Sequence, residues 1–322
     1  MRFSIIATVL NEGDSIRRLM DSLLAQSRHP DEIVIVDGGS RDNTAEIIRS
    51  YAGRLPVTVI VEPGANISRG RNVAISNATG DVIAVTDAGV RLTDNWFREL
   101  IAPFEANLDV NGVAGFFAPD WQNTFEAAMS ATVLPQRQDI NPDGFLPSSR
   151  SVAFRKSAWG KVGGYPEWLD FCEDLVFDLR FKSLAGSFVF SPDALVYFRP
   201  RGTLRSFYKQ YYLYARGDGK ADLWRKRHAI RYVTYLIGLP GLLAAGALIH
   251  PLIWLLIIAG GYAYIRRPLN RLAGILAEKS WSERFRAALW IPVIRVVGDA
   301  AKMAGYPVGW RWRITHSPPA WR

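Results

Sequence analysis

The sequence predicts an α/β fold, a mixed and mostly parallel sheet flanked by helices, followed by a C-terminal helical region suited to a membrane. Three observations carry this expectation. Short apolar runs alternate with segments of helical periodicity through the front of the chain. Polar residues recur where those apolar runs end. Residues 232–265, 34 in a row, then contain no Asp, Glu, Lys or Arg.

The elements follow in order. Phe3 to Leu10 reads as a buried strand, too short for the apolar core of a secretion signal. From Ser15 to Gln26, apolar residues at 16, 19, 20, 23 and 24 give helical spacing. Glu32–Asp37 is a second strand, with a helix from about Asn43 to Tyr51. Val57–Val61 is a third strand, Ile67–Asn77 a third helix and Val82–Asp87 a fourth strand. Such βα repeats build a parallel sheet, and ligands bind beyond the carboxyl ends of its strands. Asn11-Glu12, Asp37 and Asp87 all stand at those ends. From about Leu92 to Pro200, short apolar runs alternate with turns.

The rear has a different character. The net charge is +9, from 39 Lys/Arg and 30 Asp/Glu. From Arg199 onward there are 21 basic and 5 acidic residues, before it 18 and 25. A spanning helix needs about 20 residues, so 34 is long for one span and short for two. His250-Pro251 splits the run, which predicts a tight helical hairpin or a re-entrant pair over 232–265. Arg225-Lys226-Arg227 and Arg231 flank it on one side, and Arg266, Arg267 and Arg271 on the other. The positive-inside rule puts both ends on the cytoplasmic side. A helix at about 283–303, basic and with Trp290, Trp310, Trp312 and Trp321 within or after it, suits an interface with anionic lipids. The charge alone would also suit nucleic acid, but no nucleic-acid motif accompanies it. The expected division is therefore 1–225, a catalytic domain, and 226–322, a basic membrane-associated region. One cysteine, Cys172, excludes an intrachain disulfide and a cysteine zinc cluster.

The residues that carry chemistry come next. The first strand ends Thr8-Val-Leu-Asn11-Glu12. The second ends Asp37-Gly-Gly-Ser40-Arg-Asp42-Asn-Thr44, where glycines allow close approach and Ser40, Asp42 or Asn43 can cap a helix. Ser68-Arg-Gly-Arg71-Asn72 opens a helix, where arginine suits a diphosphate. Gly80-Asp81 leads into the strand that ends Thr86-Asp87-Ala88-Gly89. Downstream lie Ser149-Arg150, Val162-Gly-Gly-Tyr165, Glu173-Asp174, Leu179-Arg180, Gly186 and Pro192-Asp193-Ala194. In order and spacing these pieces, from about Phe3 to Pro200, resemble family 2 glycosyltransferases of GT-A fold.

The resemblance implies an inverting, nucleotide-sugar-dependent transferase. It implies that Thr8, Asn11 and Glu12 line the nucleotide pocket and that Asp37 bonds the base. Arg71 would lie near the diphosphate, and Asp87 and Gly89 on the donor side. Asp174 would be the general base, with Glu173 positioning its loop. A loop carboxylate opposite a departing diphosphate has the chemistry for that role, although Asp174 also reads as a helix N-cap. Arg150, Arg199, Arg201 and Gln210 fall on the acceptor or diphosphate side.

Two departures from the family concern metal. The family ends its fourth strand Asp-x-Asp, and here Asp87-Ala88-Gly89 supplies one carboxylate for Mg²⁺ or Mn²⁺. A family histidine is also replaced, in Val196-Tyr-Phe-Arg199-Pro-Arg201. Arginines then become the expected partners of the leaving group. Gln210 is followed by Tyr-Tyr-Leu-Tyr rather than the Gln-x-x-Arg-Trp of processive members. The expectation is a non-processive enzyme that moves one sugar to a lipid or lipid-linked glycan hydroxyl or phosphate. A soluble acceptor, or a catalytically silent nucleotide-sugar binder, remains open.

Overall fold

A computed structural model describes residues 1–321. It divides into two compact units. One comprises Met1–Asp120 and Gln136–Arg199 with the tail from Pro319; the other comprises Trp121–Pro135 and Pro200–Pro318. The division falls earlier than the expected 225/226, and a segment at 121–135 joins the helical unit. Close helix packing within that unit explains both.

In the first unit the chain runs β1 (Phe3–Val9), α1 (Ile16–Leu24), β2 (Glu32–Asp37), α2 (Thr44–Arg49), β3 (Val57–Val61), α3 (Ile67–Asn77) and β4 (Val82–Val85). It continues β5 (Val90–Leu92), α4 (Trp96–Ala106) and β6 (Gly112–Pro119), leaves for α5 (Thr124–Val133) and returns. Then follow β7 (Val152–Arg155), α6 (Lys156–Val162), α7 (Glu173–Leu184) and β8 (Val189–Phe198). The eight strands order β3-β2-β1-β4-β7-β6-β8-β5. Strands β1 to β4 are parallel, whereas β7 runs antiparallel to both β4 and β6.

Alternation along each strand feeds two cores. Ile5, Ala7 and Val9 of β1 face α1, α2 and α4, and Ile6 faces the α3, α6 and α7 side. Strand order reverses at β1, with β2 on one flank and β4 on the other. Open α/β sheets place their ligand crevice outside the strand ends at such a point.

The second unit holds α5, α8 (Leu204–Ala221), α9 (Arg225–Val233), α10 (Leu239–Leu248), α11 (Trp254–Ile275) and α12 (Trp281–His316). A π-helical turn at Thr234–Gly238 joins α9 to α10 without a break. Arg225–Leu248 and Pro251–Ile275 are therefore 24 and 25 residues long, about 36 Å each at 1.5 Å per residue and enough for a bilayer core of about 30 Å. Only 6% of the most apolar stretch of each is buried, and Leu236, Ile237, Leu248, Ile249, Leu255 and Ile258 are exposed. A soluble core helix would hide such side chains; these two have the length and exposure of helices that cross a membrane. The break comes at His250-Pro251, as the sequence suggested, and each span reaches beyond the expected 232–265 into its basic flank.

Helix α12 differs more from expectation. It is one helix of 36 residues rather than a segment at 283–303. Ser280 and Glu283 cap its start reciprocally, the Ser-x-x-Glu pattern. Buried Ala287, Ile291, Ile294, Gly298, Ala301 and Gly305 recur at alternating steps of four and three, a seam for another helix. That partner is α8. A Cβ at Gly305 would lie 2.1 Å from the Tyr212 carbonyl oxygen, and one at Gly309 1.9 Å from that of Arg216. Backbone therefore meets backbone, and α8 and α5 pack with α11 and α12 into one core. This close packing holds α12 helical beyond 303 and draws 121–135 and 200–225 into the helical unit.

Candidate active site

The loops after β1 and β2 are tied to each other before any ligand is considered. Asn11 takes a left-handed turn, φ +52°, and its Oδ1 accepts from the Arg41 amide at 2.9 Å. The Asn11 amide donates to Ser40 Oγ at 2.8 Å, and the Glu12 and Gly13 amides both donate to Thr44 Oγ1 at 2.9 Å. Thr44 in turn donates to Asp42 Oδ1 at 2.5 Å. Asp37, 1% exposed, accepts at Oδ1 from the Ser40 amide and hydroxyl at 2.8 and 2.7 Å. Asn43, rather than Ser40 or Asp42, occupies the cap position of α2. The motif residues thus build a rigid rim at the carboxyl ends of β1 and β2.

The second group converges from three elements. Arg71 on α3 has a side chain 2% exposed. Its Nη1 donates to Glu173 Oε1 at 2.8 Å, at the first residue of α7, and its Nη2 to Asp87 Oδ1 at 3.0 Å, just beyond the end of β4. The guanidinium also lies 5.2 Å from the Tyr165 ring centroid, and its Nε has no hydrogen-bond partner. Arg150 approaches Asp87 from the other side, Nε to Oδ2 at 3.9 Å, while lying 4.5 Å above the Phe198 ring. Asp174 follows Glu173 in the first turn of α7. The cap position belongs to Cys172, φ +64°, so Asp174 is not the N-cap that the sequence allowed. Two carboxylates at a helix N-terminus are favoured by the helix dipole.

One arginine serves several carboxylates, and the titration of the cluster reflects it. Burial, with the Asp174 charge adding to it, pushes Glu173 up to about 7 against the opposing pull of Arg71. Asp178, one turn further along α7 and 3% exposed, is driven well above the ordinary range by burial and by Asp174. Burial likewise raises Tyr165. Arg71 is held in its charged form by Asp87 and Glu173, which outweigh the desolvation that would neutralise it.

Comparison with known proteins bears on this geometry. Residues 4–159 match the family model described as glycosyl transferase family 2. The chain carries a family 2 glycosyltransferase domain. It is 26% identical over 277 residues to the succinoglycan biosynthesis protein ExoA of Rhizobium meliloti, covering 80% of this chain and 81% of that one. It is 33% identical over 118 residues to an undecaprenyl-phosphate 4-deoxy-4-formamido-L-arabinose transferase of Pseudomonas fluorescens, covering 34% of each. Several of these relatives are matched over only about a third of their own length. Among solved structures, the mannosyltransferase PcManGT of Pyrobaculum calidifontis, in complex with GDP-Man and Mn²⁺, superposes with a TM-score of 0.57 at 18% identity, covering 98% of this chain and 87% of that one. That likeness establishes the GT-A fold.

The residues of this domain do not make a set that would hold Mn²⁺ or Mg²⁺ by protein ligands. Among the described residues no three His, Cys, Asp or Glu are placed to share one metal ion. Asp87 faces Arg71 through one oxygen and Arg150 through the other. Ala88 is buried, and at Gly89 a side chain would meet open space rather than a partner. Hard cations need several oxygens, and here the carboxylate is shared between two arginines instead.

The remaining sequence candidates divide between the units. Thr8 and Glu12 lie on the β1 rim, where Ser15 Oγ donates to Glu12 Oε2 at 3.0 Å. Arg199 is exposed just past β8. Arg201 and Gln210 belong to the helical unit, where Gln210 Nε2 donates to the Tyr214 hydroxyl at 2.8 Å. Arg71, which the resemblance puts near the diphosphate, is buried and hydrogen-bonds Asp87 and Glu173. Sequence reasoning gave no role to Tyr165 or Asp178. The spacing of Asp178, four residues after Asp174 on one helical face, was the available signal. Tyr165 closes the Val162-Gly-Gly-Tyr165 motif, and its backbone is bonded to the Asn72 side chain at 2.9 Å in both directions.

Proposed function

We propose that this glycosyltransferase is an inverting, non-processive enzyme that moves one sugar from a nucleoside-diphosphate sugar to a hydroxyl of a lipid or lipid-linked glycan, working at the cytoplasmic membrane face. The observation that carries the reading is the Asp87–Arg71–Glu173 bridge, with Asp174 next to it at the head of α7. It joins the donor-side carboxylate to the segment bearing the base through one buried cation. Asp174 removes the proton from the acceptor hydroxyl as its oxygen attacks the anomeric carbon. The bond from that carbon to the diphosphate oxygen breaks on the opposite side, and the nucleoside diphosphate leaves. Arg71 positions Asp87 and Glu173. Arg150, half-buried beside Asp87, meets charge developing on the diphosphate. Thr8, Asn11, Glu12 and Asp37 cradle the nucleoside. Two apolar spans with basic flanks, and a relative named for undecaprenyl phosphate, support a lipid-borne acceptor.

The test uses the full chain purified in detergent. Asp174→Asn is expected to retain donor binding, read by nucleotide titration, and to lose nucleoside-diphosphate release by about a hundredfold or more, the usual contribution of a general base. Turnover unchanged by the substitution refutes the assignment of the base.

A further inference from the structure

The helical unit holds a second site unrelated to the strand ends. A cavity of 210 Å³ lies between α5, α8 and α12, lined by Thr132, Tyr211, Arg295, Asp299 and Lys302 among others. Its charges do not balance. Asp299 is the one carboxylate in the lining, and it is already engaged. Arg231 Nε donates to its Oδ1 at 2.7 Å, and the Tyr235 and Tyr264 hydroxyls donate to Oδ2. Arg295 and Lys302 remain. The Arg295 guanidinium lies 4.6 Å from the Tyr264 ring centroid, and its buried Nε has no hydrogen-bond partner. The Lys302 ammonium lies 5.0 Å from the Tyr211 ring, and no hydrogen bond joins it to any described residue. Burial, with Arg231 adding to it, lowers the Lys302 pKa against the pull of Asp299 and Asp218. Aromatic faces recover only part of the hydration that such cations lose.

A small polar space lined by two cations that no described carboxylate hydrogen-bonds is completed by an anion with several acceptor oxygens. Its volume holds one phosphate group with ordered water. The setting indicates the source. Arg231 and Tyr235 stand on the first apolar span and Tyr264 on the second, so the wall of the cavity is fastened to the helices suited to a bilayer. We propose that this cavity binds the phosphate of a lipid-linked acceptor, with Arg295 and Lys302 as its cationic walls. The proposal rests on the lipid-acceptor reading above and adds where the headgroup is held.

The experiment uses the full chain in lipid nanodiscs with polyprenyl phosphate, uncharged polyprenol and inorganic phosphate as probes. Wild type is expected to bind polyprenyl phosphate at least about tenfold more tightly than polyprenol, since one charge-assisted hydrogen bond is worth that much. Arg295→Gln and Lys302→Gln should each weaken polyprenyl phosphate by about tenfold, and Lys302→Arg should restore it. Donor nucleotide affinity, unchanged in all three variants, shows that they remain folded. Equal binding of polyprenyl phosphate by wild type and both glutamine variants overturns the proposal. Inorganic phosphate that displaces polyprenyl phosphate at comparable concentration overturns the lipid source, and failure to displace it supports that source. Headgroup binding as described, with no transfer to any lipid acceptor, refutes the acceptor reading and leaves the anion site standing.

Discussion

Replacing Arg71 with methionine removes the one cation that joins three elements. The side chain is 2% exposed and makes two ion-paired hydrogen bonds, at 2.8 and 3.0 Å. Methionine keeps much of the volume, so the loss is electrostatic. Breaking a buried pair by removing one partner costs about 3–5 kcal/mol, because the remaining charge stays buried and uncompensated. Here Glu173 has an escape, since burial and Asp174 have already pushed it up to about 7. Without Arg71 that value rises further, so at pH 8 the group either stays charged and unpaired or takes up a proton that the wild type has largely lost, and about 3–5 kcal/mol is the upper bound of the cost. At pH 5 it is protonated, and the cost falls to about 1–3 kcal/mol, the loss of bonding to Asp87. The assay is urea denaturation at both pH values, with amide exchange in β1 and β4 reporting on the first unit. A loss below about 1 kcal/mol at pH 8, or a loss that grows toward acid, refutes Arg71 as an electrostatic hub.

Other outcomes follow from the same geometry. Glu173 is raised in the folded state from 4.5 to about 7, so its contribution to stability is fully present below 4.5 and is lost as pH rises through about 7. That change is worth about 3 kcal/mol, and Glu173→Gln should remove it from the stability–pH curve; an unchanged slope contradicts the raised pKa. Gly70→Ala places a Cβ 2.8 Å from Thr8 Cγ2, which should cost about 1–3 kcal/mol and raise donor KM more than it lowers kcat. Gly309→Ala puts a Cβ 1.9 Å from the Arg216 carbonyl oxygen and should part α12 from α8, read as a loss of about 3 kcal/mol or more in thermal denaturation in detergent. Sugar transfer should persist in excess chelator, because Asp87 is shared by Arg71 and Arg150; complete loss that added Mn²⁺ reverses would refute arginine-based charge neutralisation.

Much of the fold was legible because it rests on local periodicity. The βα repeats of the front half carry their own alternation, and Asn11, Asp37 and Asp87 stand where apolar strands stop. The pause at His250-Pro251 was equally plain, since proline and a polar residue interrupt an uncharged run. The length of α12 was not. Gly305 and Gly309 lower helix propensity, and only the closeness of α8 turns them from breaks into contacts. The segment 121–135 offered no sign that it would leave the sheet, because its small residues, Ala127, Ala128 and Ala131, acquire meaning only against α11 and α12.

The sequence by itself determined the sheet-and-helix order, the charge asymmetry, the apolar spans and the identity of the polar residues at the strand ends. These depend on side chains within a few positions of each other. Tertiary structure decided which charges meet. Arg71 and Glu173 are 102 residues apart and bonded at 2.8 Å. Arg231 and Asp299 are 68 apart and bonded at 2.7 Å, and no described carboxylate hydrogen-bonds Arg295 or Lys302. No linear spacing encodes such pairings. They follow from which strand ends and helix faces the packed cores bring together, and the charge state of Glu173 is set only once that burial is complete.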